Sequence, residues 1–160
     1  MSEFGEFVDA ALQFESSWSR AADNQSRFGG GLTYYGSSVG AIRGTMRNAS
    51  LRFPGLGHDQ ITALCTELWA VPVFERRLAA IVLLQTNVHL LRNSDLTRIE
   101  GLLRTAGAQH LVDSLAADVI VPFIRALDAP GRRHAAVVLE RWAADETMWL
   151  RIAAAAAAAS

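Results

Sequence analysis

The chain has 160 residues, 51% hydrophobic and 19% charged, a composition that excludes a disordered segment and suffices for one domain with a real core. Its net charge is −1 and its 15 basic residues are all arginine, which excludes nucleic-acid binding by bulk charge but leaves room for a local arginine-lined groove. The single Cys65 excludes an internal disulfide and a cysteine-based zinc cage, the four histidines lack metal spacing, and there is no glycine-rich phosphate loop or GxSxG elbow.

The opening MSEFGEFVDA is acidic, with no basic region and no long apolar core, so it does not read as a secretory signal. No apolar run is long enough to span a bilayer. A cytoplasmic protein without membrane contact is expected. Apolar residues recur at helical spacing almost throughout. A first helix is predicted from Glu3 to Ala22, broken by Arg27-Phe28-Gly29-Gly30-Gly31. Ser38 is a candidate N-cap for a helix from Val39 to Ser50. Pro54, Gly55 and Gly57 form the next break, and a helix runs from His58 to Trp69. Pro72 opens another, to Leu91. Asn93-Ser94-Asp95 caps a short helix ending at Thr105, and Thr105 to Ile124 carries an amphipathic helix. Asp128-Ala129-Pro130-Gly131 separates it from a helix over Arg132 to Trp142, and Asp145-Glu146-Thr147 begins the last one. Seven alanines and Ser160 end the chain, and residues 153–160 read as an uninformative tail.

This rhythm, about two helices per 35 residues, predicts an all-α chain: a HEAT- or armadillo-like α-solenoid of antiparallel helix pairs in one domain, with a concave binding face. An irregular helical bundle is the alternative, since no strict repeat is visible.

Several residues are candidates for chemistry. Leu111, Val112, Leu115, Val119 and Phe123 form an apolar stripe, and Asp113 lies at its margin with Gln109, Ala116, Ala117 and Ile120. A carboxylate beside small residues can approach a ligand, stabilise developing positive charge or orient a water. It can equally be plain solvated surface. Trp69, Trp142 and Trp149 sit near helix ends and read as core anchors, Trp149 least so. Arg43, Arg47, Arg76, Arg77, Arg104, Arg132, Arg133 and Arg151 lie near helix termini or turns, as solvated or ion-paired surface or as phosphate contacts. His110 could pair with Asp113, but no nucleophile or metal partner accompanies it.

Four stretches, in order over residues 10–152, carry a resemblance: "YYGSSVGAIRGTMR" with Gly36, Val39, Ile42, Arg43 and Arg47; "ELWAVPVFERRLAAIVLL" with Leu68, Trp69, Glu75 and Ala79; "QHLVDSLA" with Val112 and Asp113; and "RWAADETMWLR" with Trp142 and Trp149-Leu150. Together they resemble the DNA alkylation repair enzymes, the HEAT-like alkylpurine DNA glycosylases. That resemblance implies alkylated double-stranded DNA as partner and N3- or N7-alkylated purines as lesions. It implies a monomer, with no metal and no cofactor, because a cationic base already leaves well. Asp113 would be the catalytic carboxylate, stabilising an oxocarbenium-like transition state and positioning water. Trp149 and Gln109 would lie against the lesion and its sugar, and Arg43, Arg47 and Arg151 would contact phosphates. The sequence departs from the pattern where Gln109 replaces a tryptophan and where Ile152 replaces an arginine, and it looks shortened at its C-terminal end. A noncatalytic helical-repeat module binding DNA or protein is the alternative, as is a structural fragment that self-associates.

Overall fold

The computed structural model describes all of residues 1–160. The chain is helical with no strands, compatible with a solenoid of helix pairs. It divides into two compact units, Met1–Thr86 and Asn87–Ser160.

The first unit holds α1 (Glu3–Phe14), α2 (Trp18–Phe28), α3 (Val39–Arg52), α4 (His58–Ala70) and α5 (Phe74–Thr86). Where one helix was expected from Glu3 to Ala22, there are two. The reason is local: the Ser17 hydroxyl accepts the backbone N–H of Arg20 and starts a new helix. Ser38 caps α3 as expected, accepting from the Ala41 amide at 3.0 Å. α5 begins two residues after Pro72 and ends at Thr86, short of the predicted Leu91. Val88–Leu90 forms a separate 3₁₀ turn.

α5 is buried along nearly its whole length, including the consecutive charged residues Glu75, Arg76 and Arg77. Surface positions were expected for these arginines; Arg76 is only 2% exposed and Arg77 8%. Each charge is matched. Glu75, fully buried, accepts the backbone N–H groups of Tyr35 at 2.8 Å and Gly36 at 3.1 Å. Arg76 pairs with Asp9 at 3.0 Å and donates to the carbonyls of Glu67 and Leu68. Arg77 donates to the Trp69 carbonyl and lies over the Trp69 ring, 5.2 Å from its centroid. The segment after α2 is thereby stitched to α5, reinforced by one parallel bridge between Thr33 and Val73. Gly36 sits in that segment at φ +86°, where a Cβ would collide with the backbone of Ser17 and Ala21, so only glycine fits.

The second unit holds α6 (Asp95–Arg104), α7 (Gln109–Leu115), α8 (Val121–Ala126), α9 (Ala129–Ala143) and α10 (Met148–Ala158). At the start of α6 the Asp95 carboxylate, rather than Ser94, receives a backbone donor, the Arg92 N–H at 2.7 Å. α9 starts at Ala129, earlier than expected, because Asp128 caps it and Pro130 suits the first turn. α10 packs against α6, α7 and α9. Two of the alanines set aside as a tail, Ala153 and Ala154, are buried there, their small size letting the helices approach.

Replacing Glu75 with alanine strands two buried backbone donors, so Glu75→Ala is expected to lower unfolding stability by about 3 kcal/mol. Urea unfolding of the two proteins measures it, and a loss below about 1 kcal/mol would show that the stitch is dispensable.

Candidate nucleic-acid and lesion site

Arg43 and Arg47 are one turn apart on α3, and both are exposed. They line a groove of about 240 Å³ between α3 and α5, with Met46, Ser50, Val82 and Thr86 as the other walls. Arg43 also reaches Gln85 across the groove, at 3.4 Å. Two guanidinium groups beside the apolar side chains of Met46 and Val82 make an anion-attracting surface. Ser50 and Thr86 were not singled out from the sequence, although Ser50 lies three residues beyond Arg47 and so shares its helix face.

Asp113 occupies the middle of α7 and is exposed, between buried Val112 and half-buried Ser114. It takes no part in the chain's ion pairs. Gln109, also exposed, lies one turn earlier on the same face, and Ala117 is exposed while Ala116 and Ile120 are buried. The helix carrying Asp113 is shorter and less regular than the expected run from Thr105. Gly107, at φ +79°, turns the chain, α7 begins at Gln109, and a π turn over Ala116–Ile120 joins it to α8. Pro122, inside the expected apolar pattern, was the available signal for that irregularity.

The first turn of α10 supplies Trp149, half-buried, and Arg151, exposed. Two residues apart at about 100° each, they point to opposite sides of α10. The Arg151 guanidinium donates to the carbonyls of Asp145 and Glu146, both at 2.8 Å. It thus closes the turn between α9 and α10. Trp142, by contrast, is a fully buried anchor whose indole N–H donates to Glu100 at 2.6 Å. Burial pushes the Glu100 carboxyl upward, but hydrogen bonds from Trp142 and Arg141 outweigh it and hold the group below its ordinary value. Arg104 grips Asp145 with both guanidinium nitrogens, at 3.2 and 2.9 Å. That grip and the Thr147 N–H lower the Asp145 carboxyl to about 2.

In the first unit, the Tyr35 hydroxyl donates to Asp9 at 2.7 Å. Burial, then this bond to a carboxylate, pushes the phenol up to about 12. Burial would also raise Asp9, but donors from Tyr35, Arg76 and Gln13 together hold it below its usual value. These groups are structural: each is spent on a partner within the chain.

No group of histidine, cysteine and acidic residues is arranged to hold a metal ion. No helix is long and apolar enough to cross a membrane.

The class is an all-helical protein compatible with a solenoid of helix pairs, with an exposed carboxylate on one helix and two exposed arginines lining a groove beside another. The family model of the DNA alkylation repair enzyme matches residues 8–160, and the chain belongs to that family. Membership supports a role in DNA repair and an interaction with DNA. Comparison with curated protein sequences finds no match.

The acid stability of the turn before α10 follows from Asp145. Its folded value, about 2, lies below the ordinary 3.8. Its contribution is therefore whole above pH 3.8 and lost as pH falls through about 2. Asp145→Asn is expected to flatten the fall in melting temperature across that window, and circular-dichroism melts at successive pH values would show it. An unchanged acid limb would contradict the pairing.

Proposed function

We propose that the chain hydrolyses the N-glycosidic bond of N3- or N7-alkylated purines in duplex DNA, with Asp113 as the catalytic carboxylate. The observation that carries this reading is the exposure of Asp113 beside Gln109, free of the ion pairs that occupy other carboxylates, in a chain of the DNA alkylation repair family. An alkylated purine is cationic. When its bond to C1′ breaks, the electron pair stays with the base and neutralises it, while positive charge moves to the sugar. A carboxylate facing that charge stabilises the transition state more than the ground state. It also orients a water whose oxygen bonds to C1′ and whose proton passes to the carboxylate and then to solvent. Neither metal nor cofactor enters this step.

The aromatic face of Trp149 suits contact with a sugar or a cationic base, and the Gln109 amide can donate and accept hydrogen bonds at the same helix face as Asp113. Arg43 and Arg47 bind backbone phosphates. Arg151 has donors left beyond its two carbonyl bonds for a further phosphate.

Release of 7-methylguanine and 3-methyladenine from methylated duplex DNA tests the reaction. Asp113→Asn is expected to slow release by about 10²- to 10³-fold without changing the melting temperature. Absence of release from a folded, DNA-binding wild type would overturn the catalytic reading and leave a binding module. Separately, Arg43→Ala and Arg47→Ala are each expected to reduce the slope of log affinity against log salt by about 1. Fluorescence anisotropy with duplex DNA measures that slope, and an unchanged value in both variants would remove the groove from the DNA contact.

A further inference from the structure

We propose that the π turn over Ala116–Ile120, enforced by Pro122, sets the rotational position of Asp113, so that Pro122 is a positioning residue for the carboxylate. This rests on Asp113 being the carboxylate of the reaction proposed above.

The helix does not break between Gln109 and Ala126: Leu115, Ala116, Ile120 and Val121 all keep right-handed helical backbone angles. Its hydrogen bonding changes partway. The Ala116 N–H still bonds back to Val112 and Asp113, as in a regular helix. The Val121 N–H reaches the Ala116 carbonyl, five residues back. The next residue, Pro122, has no N–H to offer, and in a regular helix its ring would press on the Asp118 carbonyl four residues earlier. A widened turn relieves that clash at the cost of one extra residue in the spiral. The widened turn lies in the interior. Val119, Ile120 and Val121 are three consecutive buried positions. The insertion also decides how the faces of α7 and α8 relate. Without it, α7 would sit about one residue, or 100°, further round relative to α8. Asp113 and Gln109 ride on α7, whereas α10, which carries Trp149, packs against both α7 and the π turn. Single π turns are frequent at functional sites, and here the irregularity begins three residues after the carboxylate.

The test uses the whole chain and duplex DNA carrying, at one position, a cationic pyrrolidine abasic analogue or its neutral tetrahydrofuran counterpart. The wild type is expected to prefer the cationic duplex by about tenfold, and Asp113→Asn to lose that preference. The straightening variant deletes Ala117 and carries Pro122→Ala. It is expected to melt no lower than wild type and to bind the neutral duplex equally, yet to lose the preference. If it does not fold, Pro122→Ala alone decides, with the melting temperature raised and the preference reduced. A full preference in the folded straightened variant overturns the inference while leaving Asp113 as the carboxylate. Equal loss of affinity for both duplexes with a lowered melting temperature also overturns it, because Pro122 would then serve stability alone. A wild type without preference overturns the carboxylate assignment itself, and the inference falls with it.

Discussion

Three charged side chains in a row, Glu75, Arg76 and Arg77, enter the interior at the start of α5. Charge removed from water must be fully matched or it costs several kcal/mol. That demand organises the first unit. The matching groups come from three other segments: the amides of Tyr35 and Gly36, the carboxylate of Asp9, and the last carbonyls of α4. The arginines complete acceptors that the end of α4 would otherwise leave open, where the helix dipole also favours positive charge. Glu75 does the reverse, sitting in the favourable first turn of α5 while reaching back to the segment before α3. With that segment fixed, Ser38 starts α3 in a defined place, and α3 presents Arg43 and Arg47 beside α5.

The second unit uses the same physics at lower burial. Glu100 gathers the Trp142 indole and the Arg141 guanidinium, and Arg104 spans from Glu100 to Asp145. Arg151 then occupies the carbonyls of Asp145 and Glu146. The turn between α9 and α10 is thus closed by side chains from three helices. The entry of α10 is fixed, and with it Trp149.

A division of labour among charges follows. Asp9, Glu75, Glu100 and Asp145 are engaged by donors within the chain, and for Asp9, Glu100 and Asp145 those donors favour the ionised form. Asp113 is exposed and Arg43 and Arg47 face a groove. A group already satisfied by the fold has little left to give a ligand, whereas an exposed one trades water for substrate. Of the residues proposed for the site, Asp113, Arg43 and Arg47 lie outside these networks, whereas Arg151 belongs to one.

The amino-acid sequence by itself determined the helical class, the starts of α1, α3, α4 and α6 and the position of Asp113 at the edge of an apolar stripe. These depend on nearest neighbours: Ser38 caps because its oxygen reaches an amide three residues on, and the stripe follows from helical period. The ordered stretches around Gly36, Trp69, Asp113 and Trp149 pointed to the family that the whole-chain match bears out. Tertiary structure alone decided the rest. Arg76 and Arg77 looked like surface because nothing in "FERRL" announces that Asp9 and the end of α4 will meet them. The alanine run looked empty because an alanine's value lies in how closely another helix can approach it. The turn after Asp113 looked regular because the apolar stripe runs on across it, although Pro122 was there to be read. For the arginines and the alanines the deciding partner is another segment of the chain or a packed surface, and local pattern carries no record of it.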